Sequence, residues 1–169
     1  VVVFLSRDDN HYNTVSVRHI LIKAEKSADG TYTDEAKAAA KARAEEILAE
    51  FNSGDKTEDS FAELANKYSE DEGSNTNGGL YENIAKGQMV QEFNDFCFAN
   101  HKAGDTGIVY GESSSYAGYH VMYFVGEGEQ YSDYLAKNSL LTTDMNAWLE
   151  ELTSAYETSV GSGISFVGK

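Results

Sequence analysis

Proline is absent from this chain of 169 residues, cysteine occurs once, and basic side chains are scarce: 13 Lys and Arg stand against 28 Asp and Glu, a formal net charge of −15. With no proline, the chain has no X-Pro bond of its own to slow its folding. The single thiol, Cys97, excludes an internal disulfide framework and any multi-thiolate metal site. The shortage of positive charge produces a field that repels phosphate backbones and anionic headgroups. Nucleic-acid binding and peripheral membrane binding are therefore disfavoured, and neutral or cationic partners are favoured. No apolar run approaches the roughly 18–20 residues needed to cross a bilayer, and no basic region precedes an apolar stretch at Val1-Val2-Val3. An opening without methionine is expected of a mature or trimmed product from which a signal or anchor was removed. What the chain does have is 41% apolar and 12% aromatic residues, enough to fill the core of one or two small domains.

Residues 15–22 are rich in β-branched side chains and predict a central strand. Val15, Val17, His19 and Leu21 lie on one face, Ile20 and Ile22 on the other. A polar stretch with an Asp29-Gly30 turn follows. Residues 34–51 are dense in Ala, Glu and Lys and predict a helix that Gly54 stops, with Ala36, Ala40, Ala44, Ile47, Leu48 and Phe51 as its buried stripe. Ser60-Phe61-Ala62-Glu63 fits a capping box, and Phe61, Leu64, Ala65 and Tyr68 fit a short amphipathic helix ending near Ser69. Residues 70–79 have loop chemistry. A helix at about 91–100 would bury Phe93, Phe96 and Cys97, a strand is expected around 108–110, and residues 119–125 alternate as a last strand with His120, Met122 and Phe124 on one face. Residues 128–132 look like a boundary. Beyond them Met145, Trp148, Leu149, Leu152 and Tyr156 recur at helical spacing, and a short apolar segment, 164–167, closes the chain. The order β–α–α–α–β–β predicts an α+β core with helical material appended.

Two histidines interrupt otherwise apolar strands, His19 in the first and His120 in the last. If those strands are neighbours, the imidazoles can hydrogen-bond, one donating and one accepting. They read either as a satisfied core pair or as the floor of a site. A metal is not expected. No His-x-x-x-His or His-Glu-x-x-His spacing occurs, and the stretch 71–82 that resembles a calcium loop has Gly73 where an oxygen ligand belongs and Thr76 where the turn needs glycine. Ser113-Ser114-Ser115 lacks a Gly-x-Ser-x-Gly elbow, and Cys97 between Phe96 and Phe98 reads as an inert buried thiol.

Four separated segments decide the matter: Val17-Arg18-His19-Ile20-Leu21; Phe61 through Asp71; Asn77-Gly78-Gly79-Leu80 with Gly87-Gln88-Met89-Val90-Gln91-Glu92-Phe93; and Tyr116-Ala117-Gly118-Tyr119-His120-Val121. In this order and spacing the chain resembles the parvulin-type peptidyl-prolyl cis/trans isomerases over about residues 15–127. With Asp71 where other members have cysteine, it is similar to the secreted bacterial foldases of the PrsA and SurA kind. The resemblance implies an FKBP-like superfold, a small antiparallel sheet surrounded by helices. It implies a lead at 1–14, an isomerase domain at 15–127 and a helical extension at 128–169 that is possible chaperone material. It implies His19, Asp71 and His120 as catalytic residues, and Leu80, Met89 and Phe93 as the apolar wall for the proline ring. No cofactor and no metal are implied. The usual Gly-Asp-Leu-Gly pattern reads Gly79-Leu80-Tyr81-Glu82 here, and the serine that some members place before the second histidine is Ala117.

The expected partners are unfolded or partly folded proline-containing polypeptides, met outside the cytoplasm. Phosphate-directed members use a basic cluster after the first histidine. Lys23 through Asp29 sets two lysines against two acids, with no arginine, so phospho-specificity is not expected. Asp71 has two possible uses: disfavouring negative charge on the planar carbonyl oxygen, or orienting the histidines through a hydrogen bond. The alternative function is a non-catalytic holdase. In it Trp148, Leu149, Leu152 and Tyr156 face clients or a missing segment, whereas the simpler expectation packs them on the isomerase domain.

Overall fold

The computed structural model describes residues 10–113, 115–154 and 156; the apolar segment 164–167 and most of the lead lie outside the described residues. The elements in chain order are β1 (Asn13–Lys23), α1 (Asp34–Ser53), α2 (Glu58–Tyr68), β2 (Leu80–Ile84), α3 (Gln91–Cys97), β3 (Thr106–Glu112), β4 (Ala117–Gln130) and α4 (Tyr131–Ser154). The strands form one antiparallel sheet in the order β2-β1-β4-β3. By internal contacts the chain divides after Tyr131.

The central pair β1 and β4 has apolar residues on both faces because both faces are covered. Ile20, Ile22, Val121 and Tyr123 pack beneath α1 and α2, which contribute Ala40, Ala44, Ile47, Phe51, Phe61 and Ala65. The predicted stripe of α1 is buried at these alanines, Ile47 and Phe51, while Ala36 and Leu48 flank it in partial burial. On the opposite face Val15, Val17, Met122 and Phe124 meet Ile84 and the Phe93, Phe96 and Cys97 side of α3. Cys97 is 1% exposed and burial pushes its thiol up to about 12, so it is an inert core group.

Four differences from the sequence reading bear on the architecture. Helix α2 is capped one turn earlier than Ser60. The Thr57 hydroxyl accepts from Ser60 N–H, and the Ser60 hydroxyl accepts in return from Thr57 N–H. Helix α3 stops at Cys97, where Phe98 leaves helical geometry. Strand β2 has no counterpart in the sequence reading. It is a five-residue edge strand whose pairing with β1 is bulged between Val15 and Val17 and whose Asn83 has φ +54°, so its alternation is too short and broken to register. Strand β4 runs on to Gln130, past the expected boundary at 127/128. Helix α4 spans 24 residues with none buried, and Leu140, Leu141, Met145 and Trp148 are each more than half exposed.

Candidate active site

The β1–β4 register pairs Leu21 with His120 and His19 with Met122, so the two histidines are diagonal neighbours on the α3 side of the sheet. Their Nδ1 atoms are 3.0 Å apart and both residues are buried. His19 Nε2 is 3.0 Å from Asp71 Oδ2 and 3.1 Å from Ser74 Oγ. Asp71 also accepts from the Ser74 hydroxyl at 2.6 Å and the Tyr81 hydroxyl at 3.0 Å. At the far end the Tyr116 hydroxyl lies 3.0 Å from His120 Nε2.

The loop carrying Asp71 is moored to β1 by its own polar groups. Ser69 Oγ accepts from Leu21 N–H, and Glu70 N–H donates to the Leu21 carbonyl. Arg18, on the other face of β1, donates to the carbonyls of Asn77 and Gly78 and pairs with Glu58. Gly79 has φ +71°, and a Cβ there would sit 2.1 Å from the His19 carbonyl. Only glycine lets this loop close onto β1, where His19 N–H donates to the Gly79 carbonyl at 2.8 Å.

Directions follow from the charge of Asp71. The hydrogen bond from His19, with those from Ser74 and Tyr81, holds its carboxyl well below the usual carboxylate range despite partial burial. A carboxylate only accepts, so His19 donates through Nε2–H. For a neutral pair, His19 Nδ1 then accepts from His120 Nδ1–H, and His120 Nε2 accepts from Tyr116. Burial, reinforced by the neighbouring His19, lowers His120 to about 3 and keeps it neutral. Burial and the Asp71 charge push Tyr81 up to about 12, so it remains a donor.

Above this polar floor is a cup of ≈ 170 Å³ walled chiefly by Tyr81, Met89, Val90, Phe93 and Tyr116. The Phe93 ring stands edge-on to both imidazoles, at 5.4 Å and 77° from His19 and 5.3 Å and 90° from His120. Of the six residues singled out in the sequence, His19, Asp71, Met89, Phe93 and His120 come together here. Leu80 does not line the cup. It pairs with Arg18 and shares that residue's face, whereas Tyr81 pairs with Val17 and turns inward. Tyr81, Ser74 and Tyr116 were missed. The altered Gly79-Leu80-Tyr81-Glu82 segment was the available signal for Tyr81; Tyr116 opens the segment 116–121, but nothing in it signals a contact with His120.

The model of the PPIC-type PPIase domain matches residues 4–125. The chain belongs to this family. Among its relatives, the foldase protein PrsA 3 of Bacillus cereus is 35% identical over 114 residues, which cover 68% of this chain and 32% of the relative. The PPIC-type fold is shared with the crystal structure of PrsA from Bacillus subtilis, which has a TM-score of 0.54 at 23% identity over 89% of this chain and 52% of that one. The peptidylprolyl isomerase PrsA from Bacillus anthracis gives a TM-score of 0.51 at 23% identity, over 80% and 51%. The chain thus spans about a third of the length of the curated relative. Among the described residues, no group of three or more His, Cys, Asp or Glu is placed to hold a metal ion, and no helix is long and apolar enough to cross a membrane.

Proposed function

We propose that this chain is a peptidyl-prolyl cis/trans isomerase that assists the folding of proline-containing polypeptides outside the cytoplasm, without phospho-specificity. The observation that carries this reading is a ring-sized apolar cup over two buried imidazoles whose ring nitrogens are all engaged.

Rotation about an X-Pro amide loses resonance at its midpoint, across a barrier of about 20 kcal/mol, and takes tens of seconds or more unaided. No bond has to break. A site accelerates the rotation by holding the twisted amide better than either planar isomer. Met89, Val90 and Phe93 grip the pyrrolidine ring, and burying an apolar group of that size is worth roughly 1.5–3 kcal/mol. The Asp71 carboxylate, within the cup lining, disfavours negative charge on the planar carbonyl oxygen and orients His19 through their hydrogen bond. His19 and His120 hold each other and the floor. Neither exchanges a proton with substrate, because every ring nitrogen is already engaged by Asp71, by the other imidazole or by Tyr116, and among the described residues lining the cup none is serine or cysteine.

The absence of phospho-specificity is supported by the segment after β1. Lys26 lies over the Tyr32 ring, the main-chain N–H of Lys23 holds the Glu70 carboxylate beside this segment, and Asp29 is held down to about 2 by hydrogen bonds from Ser27 and Thr31. The extracytoplasmic setting rests on the resemblance to secreted foldases. A protease-coupled assay on an Ala-Pro or Phe-Pro peptide tests the reading: the cis-to-trans rate rises with the protein and Phe93→Ala abolishes the rise. His120→Asn or His120→Gln preserves much of the rate. An unchanged cis-to-trans rate would instead fit a holdase.

A further inference from the structure

We infer that Tyr116 is a positioning residue that ties off the imidazole pair: its hydroxyl donates to Nε2 of His120 and closes that last ring nitrogen to substrate and solvent. The catalytic consequence rests on the isomerase reading; the hydrogen bond and its spectroscopic readout do not.

The need for such a group follows from the direction of the chain of donors. Asp71 accepts from His19, His19 accepts from His120, and the one ring nitrogen left over, His120 Nε2, is an acceptor in a residue only 4% exposed. A buried acceptor without a donor costs about 1–3 kcal/mol. The Tyr116 hydroxyl meets it at 3.0 Å, and the two rings pack at 5.7 Å and 77°. Along an extended strand a residue four positions back lies about 13 Å away, beyond the reach of a tyrosine, so ordinary strand geometry would not make this contact. Tyr116 precedes β4 in the turn of the β3–β4 hairpin, where Ser113 N–H donates to its carbonyl, and from there its ring folds back over the strand.

The opposite strand leaves room for this arrangement. Gly111 of β3 pairs with Gly118, and a Cβ at Gly111 would lie 2.8 Å from His120 Nε2 and 3.1 Å from the Tyr116 hydroxyl. Glycine is required at this position by contact, since its φ is not positive. Burial and the charges of Asp71 and Glu92 raise the phenol above its ordinary value, so it stays protonated and able to donate. Tyr116 also walls both the cup and an adjoining groove that shares Leu21 and Asp71. The hydroxyl and the ring therefore have separable roles.

Tyr116→Phe removes the hydroxyl and keeps the wall. Long-range 15N–1H spectra of the histidine side chains are expected to show the His120 proton on Nδ1 in the native protein, with Nε2 at the position of a hydrogen-bonded acceptor. In Tyr116→Phe the Nε2 resonance moves to lower field, while the His19 resonances stay in place. On an Ala-Pro peptide kcat/KM falls about three- to tenfold, carried by kcat with KM held by the intact wall. Gly111→Ala keeps the hydroxyl, forces it away from the ring, and moves the same resonance in the same direction. An Nε2 resonance unmoved in Tyr116→Phe overturns the positioning role whatever the activity. A moved resonance with unchanged kcat/KM overturns its catalytic consequence. A native protein that shows the expected spectrum but no isomerase activity overturns the isomerase reading alone.

Discussion

One sheet presents two differently used faces. Beneath α1 and α2, of 20 and 11 residues, the sheet meets a closed apolar layer: Ile20, Ile22, Val121 and Tyr123 against Ala44, Ile47, Phe51 and Phe61. The other face is covered by α3, of 7 residues, and past its end the coverage gives way to the cup floored by His19 and His120. Both faces use the same two strands, so the difference lies in the length of the helical cover. A long amphipathic helix completes a core. A short one leaves room for a ligand, and there the strands can hold imidazoles because the adjacent loop and hairpin supply Asp71, Ser74 and Tyr116 as partners.

The contrast breaks most visibly under truncation of the closed face. Phe61→Ala, at a side chain with no exposure, is expected to cost about 3–5 kcal/mol in urea denaturation while leaving kcat/KM of the folded protein unchanged. On the cup face, Asp71→Asn places an amide where three donors converge. We expect a loss of roughly a hundredfold in kcat/KM against about 1–3 kcal/mol in stability. Acid sharpens the same division. Burial lowers His120 from its ordinary 6.5 to about 3 in the fold, so the unfolded chain binds more protons between these values. Stability is therefore full above pH 6.5 and falls as pH drops toward 3; below 3.8 the depressed Asp71 adds its own loss. Urea midpoints across this range check the sign, and His120→Asn flattens the upper part.

Smaller effects separate grip from packing. Met89→Ala, at a half-buried wall residue, is expected to lower kcat/KM about tenfold through KM with about 1 kcal/mol or less in stability. Thr57→Ala removes the cap of α2 on the closed side and costs about 1 kcal/mol with no effect on rate.

Much of this division is legible in the sequence. The alternation of β1 placed His19 with Val15, Val17 and Leu21, that of β4 placed His120 with Met122 and Phe124, and the register makes those one face. The stripe of α1 was readable because a helix of five turns repeats its pattern often enough. Strand β2 was not, since five bulged residues at an edge leave no clear period. The resemblance implies Leu80 for the wall through the altered Gly79-Leu80-Tyr81-Glu82 pattern; in the strand Leu80 shares the face of Arg18 and Tyr81 turns inward, because neighbouring strand positions face opposite sides. The role of Tyr116, which opens the segment 116–121, was unreadable for another reason. Its contact with His120 depends on a hairpin turn folding back and on the missing side chain of Gly111, and neither leaves a periodic trace.

The most direct test compares cis-to-trans rates of an Ala-Pro peptide with the native protein in H2O and in D2O. Rotation over a closed imidazole pair predicts a clear acceleration of nearly equal size in both solvents. No acceleration, or a rate severalfold lower in D2O, would contradict an account in which the amide turns without proton transfer.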